Sequence, residues 1–427
     1  MNQPQTLFDK TYESLKRPLL KDVCEQLRDI FNPEELAVLR IDRINPAILS
    51  HRSGRGFVNR DILETVLGNL LEFAAPGSHN ATETNGALDF EHGVEELCDQ
   101  IYAMIAQSLL AVEGPGAKIE EMALGTTFAL LADIPQLKER ARWNRFASLK
   151  DPATWDAYIT SGNEACRHKL AGLDGKSAID RAIAERDFGA YEDFLKTEGL
   201  DFAFDYQLQL VVSSYPGWRV LFYHDVAHAF TQSGDSDRIG VNRVAVPLLP
   251  RAIAELGGRY YQADLHPETR IGDANFLEHP HRGLTTGQTG IIGQGCVLYP
   301  CTLGGISEKV RQRHPIIGDF VLIGTDAQLL GPVEIGDRSS IGINSQVYGY
   351  VQVGPECRIA SAVVIGTVLA STRRPGRIRL GEGVRVGDGT VIENSTELDL
   401  LIPEKSEIPA RSHVVNDGFG NPRYLRD

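Results

Sequence analysis

No CxxC pair occurs among the six cysteines, Cys24, Cys98, Cys166, Cys296, Cys301 and Cys357. Scattered thiols of this kind read as those of a reduced, cytoplasmic protein. No apolar run reaches about 18 residues, so no membrane-spanning helix is expected. The opening residues, MNQPQTLFDK, lack a basic start followed by an apolar stretch, so no export signal is expected either. Positive charge is scarce: 43 Lys and Arg stand against 57 Asp and Glu, a net charge of -14. Nucleic acids and anionic membrane surfaces require broad positive potential, so neither is an expected partner. An anionic ligand would need a local basic patch. At 427 residues the chain has room for two or three domains with their own cores.

What the chain does have is a period of six. Stepping from Ile317, it runs through Ile323, Leu329, Ile335, Ile341, Val347, Val353, Ile359 and Ile365, and nine of nine are aliphatic. In a chain of ordinary hydrophobic content such a run has a chance probability on the order of one in a thousand. A helix would repeat at 3.6 and a plain strand at 2. A period of six fits short strands separated by regular corners, with three steps closing a triangular coil of about 18 residues. The expected architecture is α+β: a helical N-terminal region, then a left-handed parallel β-helix of hexapeptide repeats. Each aliphatic would point into the prism. The small residue that follows most of them, as at Gly318, Gly324, Gly336 and Gly342, would let the backbone bend at the corner.

Before the hexads, residues 7 to 31 predict an amphipathic helix, or a pair broken near Pro18, and further helices are expected at 60 to 74 and 94 to 112. Residues 1 to 195 carry no chemical motif and read as a helical packing or oligomerisation region. A helical segment follows over 196 to 263, including a long apolar helix at 241 to 257. His224 and His228 there have two-His metal spacing, but no acidic HExxH-type partner accompanies them, and a buried or interface pair is preferred. The prism is expected over 264 to 400, opening with Leu265, Ile271 and Leu277, and resuming after 379 with Leu380, Val386, Ile392 and Leu398. Residues 401 to 427 are expected as an extended cap.

The six-residue rhythm lapses between 283 and 315, and a lapse in a solenoid is where a loop leaves the prism. Candidate chemistry gathers there: Asp264, His266, Glu278, His279, His281, Arg313 and His314. A histidine beside carboxylates suits general-base work, and an arginine fork suits a carboxylate ligand. The histidines could instead hold zinc, but E-H-P-H sends neighbours to opposite faces of a short strand, so no metal is expected.

The ordered motifs DLHPETRIGDANFLEH, G-Q-T, TLGG and RHPIIGDFVLIG, with YPGWRVLFYHDVAHAF upstream, resemble the serine O-acetyltransferase family over about residues 196 to 370. The resemblance implies acetyl transfer from acetyl-CoA, as co-substrate, to the hydroxyl of L-serine, without a metal. It implies that His279 is the general base, oriented by Asp264. Arg313 and His314 would receive the amino acid's carboxylate, with Glu278 near its amine. Gly305, beside Gly304, would face the oxyanion. Asp201 would hold the substrate amine, with Asp205 as rival. Arg373, Arg374, Arg377 and Arg379 form the densest basic patch and either receive the coenzyme's phosphates or make a solvated corner. A homotrimer or a dimer of trimers is implied.

Departures from the pattern bear on the acceptor. Glu278 stands where the family has Asp, Gly287-Gln288-Thr289 replaces G-E-T, and 280 to 282 include an extra residue. A longer acid beside the base alters the room for the amine, which opens the site to another small hydroxy or amino acceptor such as homoserine. A non-catalytic hexapeptide scaffold is the reading from a different class. The sequence stops at Asp427, where members that dock into cysteine synthase end in isoleucine, so that complex is not expected.

Overall fold

The computed structural model describes residues 10–44, 59–77, 90–113, 118–155, 172–201, 203–236, 241–306, 311–367 and 376–425. The chain divides into two compact units, Met1–Arg142 with Leu221–Leu256, and Trp143–Val220 with Gly257–Asp427. The unit that holds the prism also takes in Trp143–Val220, a stretch that crosses the boundary expected at 195/196.

The first unit is helical. Lys10–Arg28, Arg60–Ala74 and Phe90–Glu113 pack through Val66, Leu70, Phe73, Leu97, Ile101 and Ile105, all buried. Each such side chain contributes roughly 1.5–3 kcal/mol on leaving water. Pro18 does not break the first helix, which runs through it. Lys16 on that helix is buried and meets the carboxylates of Glu95 and Asp99 at 2.9 and 3.0 Å, an ion pair that fixes it against Phe90–Glu113. The helix expected over 241 to 257 is corrected: Val241–Arg243 is a strand paired with Gly234–Ser236, and the helix is Leu249–Tyr261. The strand also lies close to Gly125, where a Cβ would overlap the carbonyl oxygen of Asn242. That glycine admits a backbone no local pattern reveals. The rings of His224 and His228 stack 5.8 Å apart, and the neighbouring Asp225 is held in a fork by Arg140 at 2.8 and 2.9 Å. His224 is buried and His228 partly exposed.

The second unit is a parallel β-helix with three flat faces, two of seven strands and one of nine. Ile317 pairs with Ile335 and Ile335 with Val353, steps of 18 residues that set each aliphatic above the last. All nine hexad aliphatics are buried. The glycines that follow them do not supply the bend. Positive φ falls instead at Phe320, Asp326, Arg338, Asn344, Glu356 and Ala362. The glycines are needed because coils stack closely: a Cβ at Gly336 would come within 2.5 Å of the nitrogen of Pro355 in the coil above.

The prism also extends further than expected. Leu398 is exposed rather than inward, and the inward row is re-established two residues later by Leu400, then by Ile402, Ile408 and Val414, six apart again. Strands Leu400–Ile402, Glu407–Ile408 and His413–Asn416 add to all three faces, so residues 401 to 416 are another coil, not a cap. Only Pro422–Leu425 turns back, antiparallel to His413–Asn416, and covers that strand's open edge.

Candidate active site

Where the 18-residue step lengthens, side chains leave the prism. Leu277 pairs with Leu298, a step of 21, and the extra residues form the short helical turn Pro280–Arg282 immediately after His279. His279 itself has φ 46, a left-handed conformation uncommon for a residue with a Cβ, and its side chain is 62% exposed. The imidazole therefore stands outside the prism, at the corner where the chain enters the third face.

The carboxylate against that ring is Glu278's, with Oε1 2.9 Å from Nε2. Asp264, which the resemblance sets there, ends the strand Ala263–Asp264 on the third face. It is exposed, and its carbonyl accepts from the N–H of Thr286 at 2.9 Å. The strand lies against the turn Pro280–Arg282, so Asp264 is a neighbour of the His279 loop. His281 packs edge-on to His279 at 5.7 Å.

Glu278 is almost fully buried, and its Oε2 has no hydrogen-bond partner. Burial, reinforced by the charge of Asp151, pushes its pKa up to about 7. Asp151 is the site residue that the sequence reading missed. Its carboxylate accepts from the hydroxyl of Tyr215, and burial followed by that bond holds Tyr215 well above the ordinary tyrosine range. The two acids come together because the YPG segment packs directly on the prism: a Cβ at Gly217 would overlap the carbonyl oxygen of Leu277, just before Glu278. The adjoining Lys150, buried, donates to the carbonyl of Gly295 at 2.5 Å and pairs with Asp180 at 2.6 Å, pinning the Asp151 segment to a coil. By contrast Asp201 and Asp205, the expected amine ligands, are exposed, one in a turn and one on the first turn of Ala203–Ser214. The Asp-Pro-Ala at 151 to 153 was a legible acid, but only tertiary packing sets it beside Glu278.

A second cluster forms at the far edge of the same face. The ring of His314 lies between two glycines. A Cβ at Gly287 would fall inside the imidazole, and one at Gly305 would come within 2.7 Å of Nε2. These are the glycines of G-Q-T and TLGG, and both are needed to seat the ring. The backbone N–H of Thr289 donates to Nδ1 at 3.2 Å, which puts the ring proton on Nε2. Burial, then the charges of Arg313 and His266, hold the His314 pKa below its usual value. His314 is thus a neutral donor at Nε2, and the exposed Arg313 is a cation beside it. Its carbonyl accepts from Ile306 at 3.2 Å and closes the loop that begins at Gly304 and Gly305. Gln288 bonds Glu268 at 2.8 Å.

In the proposed basic patch, Arg377 lies 3.8 Å from Glu334 and Arg379 bonds Asp399 at 3.0 Å. Arg373 and Arg374 fall outside the described residues. Among the described residues, no three His, Cys, Asp or Glu side chains converge as metal ligands would.

No family model matches the chain. Among curated proteins, the serine acetyltransferase of Staphylococcus aureus is 30% identical over 181 residues, 42% of this chain and 71% of that protein. The chain belongs to the serine acetyltransferase family. The family's Synechococcus elongatus member is 32% identical over 128 residues, which are 30% of this chain and 48% of that protein. The matched region thus spans only about half the length of that relative. A solved serine acetyltransferase isoform from Entamoeba histolytica, in complex with cysteine, covers 83% of this chain and 94% of its own, at 20% identity and a TM-score of 0.46. No described helix is long and apolar enough to cross a membrane.

Proposed function

We propose that this chain moves the acetyl group of acetyl-CoA to the hydroxyl of L-serine. Family membership supports the reaction class, and one observation carries the acceptor class: the same face has an exposed imidazole beside two acids at one edge and a cationic, donor-bearing cluster at the other. Two carboxylates forced together want a cation between them, and Asp151 with Glu278 suit an α-ammonium. Arg313 and the Nε2–H of His314 suit an α-carboxylate. Where one subunit's acid edge meets a neighbour's cationic edge at the seam of a trimer, a small amino acid held at both ends would bring its side-chain hydroxyl to His279.

In this reading His279 takes the hydroxyl proton as the oxygen attacks the thioester carbonyl. The N–H of Gly305, beside Gly304, supports the oxyanion. The C–S bond then breaks and the imidazolium returns its proton to the departing thiolate. Asp264 keeps the role of orienting the ring from the neighbouring strand. Asp151 replaces Asp201 and Asp205 as the amine ligand. The pairing of Arg377 and Arg379 with acids favours a solvated corner over a phosphate cradle. We place the protein in the cytoplasm, in keeping with the described cysteines Cys24, Cys98, Cys296, Cys301 and Cys357, all buried thiols, and as a trimer or paired trimers built on the flat faces.

The test is thiol release from acetyl-CoA with a panel that includes serine and homoserine. Serine is expected to be the best acceptor, and His279→Ala to lose about 10²–10⁴-fold. Because the ring is exposed, the thermal midpoint should stay put. No thiol release with any acceptor would end the reading and leave a scaffold.

A further inference from the structure

Nε2 of His279 is already engaged. It sits 2.9 Å from Glu278 Oε1, the charge-assisted contact of adjacent residues, while the other carboxylate oxygen, Oε2, is buried with no donor. A base in that state is not free to deprotonate a hydroxyl. Glu278 is also unsettled on its other side, where the Asp151 carboxylate repels it.

We propose that Glu278 is a latch on His279, released by the acceptor's ammonium group. The inference rests on His279 being the base. With no acceptor present, the carboxylate holds Nε2. An ammonium entering between Asp151 and Glu278 offers three N–H donors, satisfies Oε2 and draws the carboxylate off the ring. Reach matters here. Glutamate has one methylene more than aspartate, which lets a single side chain both fold back onto the next residue's ring and swing away from it. His279's left-handed backbone keeps the ring on that side.

Once freed, Nε2 accepts the acceptor's O–H proton, the oxygen bonds to the acetyl carbon, the C–S bond breaks, and the thiolate leaves as thiol with the proton the ring has taken up. While latched, the ring cannot do the same for water, so the thioester is spared hydrolysis to acetate and thiol. Glu278 is therefore a specificity-determining residue: it couples the presence of an amine to the readiness of the base.

The measurement is the rate of thiol release with L-serine, with 3-hydroxypropionate, which is serine without its amine, and with water alone, in wild type, Glu278→Ala and Glu278→Gln. A latch predicts opposite changes. Activity with serine falls through KM. Transfer to 3-hydroxypropionate and acetate formation rise about tenfold or more in Glu278→Ala, the size of losing a hydrogen bond to a charged group. Glu278→Gln, which preserves shape, gives a smaller rise in the same direction and guards against a misfolded alanine variant. If neither variant exceeds wild type with hydroxypropionate or water while both lose serine, Glu278 only binds the amine and the latch is wrong. If wild type uses no amino acid at all, the functional reading falls instead, and imidazole ¹⁵N spectra judge the latch. L-Alanine should move the His279 Nε2 signal and propionate should not. An alanine effect on His314 with none on His279 overturns the proposal, and no effect on either counts against both readings.

Discussion

Two stretches of one prism behave differently. From Ile316 to Ile359 the coil advances 18 residues at a time, with each aliphatic of the six-residue row inward and glycines such as Gly324, Gly336 and Gly342 facing the coil above. From Ala263 to Ile317 the same coil lengthens to 21 and then 25 residues between paired positions. The regular stretch has no spare backbone. Each residue is committed to stacking or to a corner, so it confers rigidity and little else. The lengthened stretch stacks on the same column, and its surplus residues carry His279, Arg313 and His314. Chemistry sits where the repeat is broken, because only surplus chain can lift a side chain clear of the column.

That contrast can be broken at each end. Ile341→Ala, deep in the regular stretch, should cost about 2–5 kcal/mol of stability by denaturant unfolding, with kcat of the folded enzyme unchanged. A change in kcat without loss of stability would mean that the regular coils are not merely support. A second probe uses pH. Glu278 titrates near 7 when folded against 4.5 when free, so the folded state binds the extra proton between those values. Below about 4.5 both states are protonated and nothing is lost. As pH rises from about 4.5 to 7 stability should fall, by up to about 3 kcal/mol at the limit, and Glu278→Gln should flatten that slope. A slope identical in the variant would place the titration elsewhere. The smallest effect is expected from Gly287→Ala, whose Cβ would displace the His314 ring. Overpacking of this kind costs about 1–3 kcal/mol. It should appear chiefly as a roughly tenfold rise in KM for the amino acid, leaving Ile341-type unfolding behaviour intact. Loss of stability without a KM effect would detach His314 from acceptor binding.

How much of this was visible beforehand differs between the same two stretches. The inward row from Ile317 to Ile365 was legible because each coil repeats one local solution, and all nine positions are buried. The last coil was misread because Leu398 continues the count by six yet lies outside, after a slip that only the pairing of Leu380 with Ile402 reveals. In the site, His279, Arg313, His314 and the two glycine motifs stood out as ordered sequence. Asp151 did not, since it lies more than a hundred residues before Glu278 and nothing in its own neighbourhood marks it.

By itself, the sequence determined the prism, its inward face and the place where the rhythm fails, since these follow from short-range periodicity acting against water. Tertiary structure alone decided which acid stands beside which. A carboxylate's partner depends on packing between distant segments, here the glycine that lets the Tyr215-Pro216-Gly217 connection settle onto Leu277, and no spacing along the chain records that approach.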